Sequence, residues 1–259
     1  MSTTLANSEI VNNNTACCKV PTVQHDYTGK GEYKSYADMD KVYMVGPEGT
    51  GKAIIIIYDI FGYFPQTLQG ADLLADAVGA RVLMPDFLMG KPWPADKFPP
   101  QTKTEEAQLQ LYFGTTANPL LTVPYINRVA EELKKEGATK VGVLGFCWGG
   151  KLSIKCGSQS WVDGIAAIHP AMLTASDADN IQVPLALFPS VDEPVEEYEG
   201  IVKALSDKPW SDKNAYKVYP SVSHGFAAAR ANLTDPDGKA QFEDVYTRTA
   251  AFFKNVFES

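Results

Sequence analysis

The stretch Lys140-Val141-Gly142-Val143-Leu144-Gly145-Phe146-Cys147-Trp148-Gly149-Gly150 constrains this chain most. An apolar run of strand character ends at Gly145, and Cys147 stands with one glycine two places before it and another two places after. A strand that turns abruptly into a helix with a nucleophile at its apex needs small residues on both sides. The backbone there is strained, and the new helix passes close to the neighbouring strands. A small thiol packed beside glycine in a strand–helix turn is the competing explanation of the same residues.

The flanking sequence repeats the strand–helix alternation. Ala53 to Tyr58 is an unbroken apolar, β-branched run, as expected of a strand buried on both faces of a parallel sheet. A helix is expected over 66–78, with Leu68, Ala71, Leu74, Ala75 and Val78 on one face, then a strand over 81–84 closed by Pro85-Asp86. That spacing makes a βαβ unit with a right-handed crossover. Further helices are expected over 104–113, 123–136, 195–205 and 239–257, and strands over 141–145, 164–168, 184–188 and 216–219. Segments 32–36 and 41–45 form a short hairpin. The pattern predicts one α/β domain over 31–259, a mostly parallel central sheet with helices on both faces, preceded by a polar arm, 1–30. Loop 87–103 is rich in proline and aromatic residues, and long loops at strand ends are often binding elements.

A formal net charge of −8 argues against a nucleic-acid footprint or a membrane-surface role. No apolar run approaches the roughly 20 residues that span a bilayer, and the first residues lack the features of a signal peptide, so a cytoplasmic location is expected. Four cysteines, Cys17, Cys18, Cys147 and Cys156, do not make a disulfide scaffold in a chain of 259 residues. No spacing of His and Cys supports a metal site, and nothing requires a cofactor. The oligomeric state is left open.

Asp192 lies in the loop after 184–188 and His224 in the loop after 216–219. Both loops should open at the carboxyl edge of the sheet, beside Cys147, where open α/β sheets bind ligands. Nucleophile, acid, histidine is the chain order of the α/β hydrolases, and the turn around Cys147 resembles their Gly-x-Ser-x-Gly elbow with Cys for Ser. In that arrangement the dipole of the helix that follows favours a Cys147 thiolate, His224 takes its proton, and Asp192 fixes the imidazole tautomer. The amides of Ile60 and Trp148 form the oxyanion hole. Glu193 is the alternative acid; His169, at a neighbouring strand end, is a pocket histidine or an alternative base; His25 lies in the arm.

Gly145 to Lys151, Asp59-Ile60-Phe61-Gly62, Pro85-Asp86, Asp192 and His224-Gly225-Phe226 together resemble the dienelactone hydrolase family of α/β hydrolases. Cys17-Cys18, His25 and Gly29-Lys30-Gly31 resemble its fungal branch. The resemblance implies hydrolysis of a small-molecule ester or lactone through a Cys-His-Asp triad and an acyl-thioester. It also implies that Asp59, where the bacterial enzymes carry Glu, contacts the resting thiol; a turn carboxylate is the other explanation of Asp59. The two arginines that hold the carboxylate of dienelactone itself map onto Gly90 and Ala228, neither basic, with Lys91 and Arg230 close by. Tyr63, Phe64, Phe87, Trp93, Trp148 and Phe226 are candidates for an apolar pocket. The expected substrate is therefore larger or less charged than dienelactone. A non-catalytic binding scaffold and a thioesterase or tailoring enzyme of secondary metabolism are the alternatives.

Overall fold

A computed structural model describes residues 20–258; Cys17 and Cys18 lie outside them. Eight strands form one sheet: β1 (Glu32–Tyr36), β2 (Met39–Val45), β3 (Lys52–Ile57), β4 (Arg81–Pro85), β5 (Lys140–Phe146), β6 (Gly164–Ile168), β7 (Leu185–Phe188) and β8 (Ala215–Tyr216). Their order is β1-β2-β4-β3-β5-β6-β7-β8. β1 and β2 pair antiparallel, as do β2 and β4; every other pairing is parallel. The two centre strands, β3 and β5, run in register from Lys52 opposite Lys140 to Ile57 opposite Gly145. Ile54 to Ile57 are fully buried, which is why this run carries no polar alternation.

Among the described residues six α-helices cover the sheet: α1 (Pro65–Val78), α2 (Lys103–Gly114), α3 (Pro119–Lys135), α4 (Trp148–Cys156), α5 (Val195–Ala204) and α6 (Pro236–Phe257). Gly142 of β5 faces α6, where a Cβ would meet the Phe253 ring at 2.4 Å, and Gly145 faces α4, where a Cβ would lie 1.9 Å from Gly149 O. Three residues apart on one strand, these glycines point to opposite faces, so α6 and α4 clothe the two sides. α6 buries Phe242, Val245, Tyr246, Thr249, Phe253 and Val256 at helical spacing.

Two of the boundaries that differ from the sequence expectation change an element most. α3 begins at Pro119, not near 123, because the Asn118 side chain accepts the Leu120 amide and proline occupies the first helical position. The strand expected over 216–219 is two residues long; beyond Tyr216 the pairing continues only through an isolated bridge between Ser190 and Tyr219.

The described part of the arm lies along α1. Asp72 accepts hydrogen bonds from the Tyr27 hydroxyl (2.7 Å), the Lys30 amide (2.8 Å) and the Tyr43 hydroxyl (2.6 Å), and His25 is bonded to Gln69 at 3.0 Å.

Candidate active site

β5 ends one residue before Cys147, which sits at φ 53°, ψ −115°, a conformation that costs an L-residue on the order of 1–3 kcal/mol. Main-chain bonds hold it there. Its amide donates to Ile168 O (3.3 Å), and its carbonyl accepts from Gly150 (3.0 Å) and Ala171 (2.9 Å). The glycines flanking it are sterically required: a Cβ on Gly149 would lie 2.1 Å from Ile57 O, and one on Gly145 1.9 Å from Gly149 O. α4 can therefore start directly against the end of β3, which brings Cys147 beside the Asp59 turn. Trp148 begins α4, so its amide has no acceptor within the helix and lies at the positive end of the helix dipole. The Trp148 indole donates to Ala117 O at 2.6 Å and is fully buried.

His224 approaches from the other side. Its ring stacks edge-on against His169 at 5.1 Å between centroids, and His169 lies between Ile168 and Ala171, two of the residues bonded to Cys147. Asp192, the expected acid, is bonded to the main chain of this residue: its Oδ2 accepts the His224 amide at 2.8 Å. The carboxylate on the ring is Glu193, whose Oε1 is 2.5 Å from Nδ1, both side chains being fully buried. The turn after β7 decides which acid faces inward. The Asp192 amide donates to Ser190 Oγ and the Ser190 amide to Glu193 Oε2, so residue 192 stays half-buried at the loop surface while the longer Glu193 folds under it. Two adjacent acids ahead of Pro194 were visible in the sequence; which of them turned inward was not.

Asp59 is buried, and both of its oxygens accept main-chain amides, Phe61 at 2.9 Å and Ala229 at 3.3 Å. Together with the bond from Gly62 N to Asp59 O and that from Trp93 N to Ile60 O, this fixes the turn that carries the Ile60 amide. Burial raises the Asp59 carboxyl to about 6, against the opposing pull of Arg230, the two amides and His224. The Asp59 carboxylate thus ties the turn after β3 to the segment after His224.

The remaining sequence candidates separate into two groups. Phe226 packs against His169 (5.6 Å) and Tyr219 (4.9 Å), inside the histidine cluster. Arg230 is buried with its guanidinium over Phe98 (4.6 Å) and Phe61 (5.2 Å), and its Nη1 donates to His224 O at 3.5 Å. Phe87 and Lys91 line a cavity of about 330 Å³. Tyr63, by contrast, points its hydroxyl at Met84 O (2.8 Å) and stacks between Tyr33 and Tyr58, bracing β4. Trp93 packs on Tyr112 at 5.3 Å and Phe64 on Phe61 at 6.1 Å. Sequence reasoning missed Phe98 and Gln66. The fully buried Gln66 amide donates to Val23 O (2.8 Å) and Ala231 O (3.1 Å), and nothing in a helix-spaced glutamine announces that. Among the described residues no cluster of three or more His, Cys, Asp or Glu is placed to hold a metal ion, and no helix is long and apolar enough to cross a membrane.

The dienelactone hydrolase family model matches residues 41–257. An uncharacterised AIM2 family protein of Schizosaccharomyces pombe is 32% identical over 233 residues, covering 89% of this chain and 93% of that protein. A carboxymethylenebutenolidase homolog of Xenopus tropicalis is 29% identical, covering 85% of this chain and 88% of that protein. Among solved structures, a dienelactone hydrolase from Anabaena variabilis matches with a TM-score of 0.61 at 16% identity, over 89% of this chain and 99% of that one. At that identity the likeness concerns the α/β-hydrolase fold alone.

Proposed function

This chain belongs to the dienelactone hydrolase family, and on that premise we propose that it hydrolyses a carboxylic ester or lactone, with Cys147 as nucleophile, His224 as base and Glu193 as the acid behind it. The observation that carries this reading is the buried Glu193–His224 pair facing the carboxyl edge where the strained Cys147 elbow ends. Cys147 Sγ attacks the ester carbonyl carbon as His224 takes the thiol proton. The Ile60 and Trp148 amides receive the developing oxyanion. The imidazolium returns its proton to the leaving alkoxide as the carbon–oxygen bond breaks, leaving an acyl-thioester. His224 then deprotonates a water that attacks the thioester carbonyl, and the proton goes back to the departing thiolate. Glu193 on Nδ1 keeps Nε2 the exchanging nitrogen and stabilises the charged ring.

Asp59 serves this scheme by holding the Ile60 turn; the thiol contact implied for it by the family resemblance is part of the same proposal. Gly90 and the buried Ala228 offer no cation, and Arg230 lies against two rings, which supports a substrate less charged than dienelactone. A small-molecule substrate met in the cytoplasm fits this reading.

Incubation with p-nitrophenyl acetate tests it. A burst of one nitrophenolate per chain and an acetyl adduct on Cys147 are expected, both absent in Cys147→Ala. Undiminished turnover by Cys147→Ala sinks the proposal.

A further inference from the structure

A cavity of about 330 Å³ lies outside the groups assigned to the chemistry, between the segment after β4 and the α2–α3 connection. Its size is at the lower end for small-molecule sites. One wall is Phe87, Leu88 and Met89; the other includes Thr116, Leu121 and Tyr125. Both walls are pinned before any ligand arrives. Asp86 accepts the Tyr58 hydroxyl (2.5 Å) and the Gly90 amide (2.9 Å), and the Leu88 amide donates to the same Tyr58 oxygen (3.1 Å). On the other side Ala117 N donates to Tyr112 O (2.9 Å), and the Tyr112 hydroxyl crosses to Lys91 O (2.8 Å).

Each wall is also attached to the reaction centre. Tyr58 immediately precedes Asp59, and Ala117 O receives the indole of Trp148, the neighbour of Cys147. Apolar side chains stand exposed around it beside Lys91 and three threonines: Met89 is 52% exposed and Leu121 62%, with Leu120, the preceding residue, at 58%. Large apolar side chains left in water around a preformed cavity mark a binding site more often than a packing fault.

We propose that this cavity is a subsite for the apolar part of the ester remote from the scissile bond, a neutral alkyl or aryl group of about one ring in size. The inference rests on the hydrolase reading above and names the substrate class for it. Lys91 stands at the rim; its carbonyl, not its ammonium, closes the wall.

Two ester series separate the subsite from the hydrolase reading: p-nitrophenyl esters from acetate to hexanoate, and acetates of lengthening alkyl alcohols. A fully buried methylene is worth about fourfold, so one of the two series should climb on the order of 100-fold in kcat/KM across four methylenes. Thr116→Trp, which fills the cavity, should flatten that climb to within threefold. Leu121→Ser, at an exposed position, is the second variant should Thr116→Trp not fold, and should cut the climb at least fivefold. Cys147-dependent turnover of acetate with both series flat overturns the subsite and leaves the hydrolase standing; absence of any turnover overturns the hydrolase reading itself. A mono-anionic dicarboxylate ester preferred over its neutral isostere by more than tenfold also overturns the proposal, because the site would then be reading charge.

Discussion

Cys147 is fixed by main chain: three backbone hydrogen bonds, the end of a central strand, and glycines that let α4 touch β3. His224 is fixed by side chains from distant parts of the sequence. Glu193 holds its ring, Asp192 its amide, and the segment after it is held at Ala229 N by Asp59, at Ala229 O by the Val23 amide (2.9 Å), at Ala227 O by Tyr246 (2.9 Å) and at Ala231 O by Gln66. One half of the site is therefore as rigid as the sheet, while the other is only as well placed as a set of individually replaceable contacts. Substitutions near Cys147 should break the fold, and those behind His224 should lower activity first.

The sharpest test of that contrast is Glu193→Gln against Asp192→Asn. The first should lower kcat about 10³- to 10⁴-fold with little change in melting temperature, the scale seen when a triad acid is neutralised. The second should cost less than about tenfold, since the Asp192 carboxylate accepts the main-chain amide of His224; steady-state kinetics of both decides, and a reversed order restores Asp192 as the acid. On the elbow side, Gly149→Ala would drive a methyl into Ile57 O, so a loss of more than about 3 kcal/mol in denaturant unfolding is expected.

Asp59 gives a pH signature. Its carboxyl is raised to about 6 when folded from an ordinary value of 3.8. Between those values the folded state holds more protons than the unfolded, so stability falls as pH rises through 6. At 1.36 kcal/mol per pH unit the loss is about 2 kcal/mol between pH 4 and 7. Asp59→Asn should be flatter over that range by this amount; parallel wild-type and variant curves in urea would refute it. The smallest effect expected is from Gln66→Leu, which removes two bonds joining the arm and the histidine segment to α1. A loss of about 1–2 kcal/mol and a several-fold fall in kcat with KM unchanged should follow. An equal effect on both constants would mean that the arm supports only the fold.

Much of the molecule was legible in the sequence because it is written in local periodicity. The apolar run at Ala53 to Tyr58, the helical spacing of 66–78 and the glycine pair around Cys147 each depend on residues a few places apart. The Asn118-Pro119 start of α3 is equally local, four residues ahead of where the helical spacing becomes apparent. The inward acid, the bracing role of Tyr63, and the seating of Arg230 on Phe98 belong to another class.

By itself the sequence determined the alternation of strands and helices, the carboxyl-edge placement of three loops, and the family, because these follow from hydrophobic period, steric need for glycine, and chain order. Only the tertiary structure decided that Glu193 bonds the imidazole of His224 while Asp192 bonds its amide, that Asp59 spans two loops, and that Gln66 joins the arm to the histidine segment. Those outcomes depend on which of several chemically equivalent side chains the packing turns inward, and on contacts between residues as far apart as Asp59 and Ala229, 170 positions along the chain.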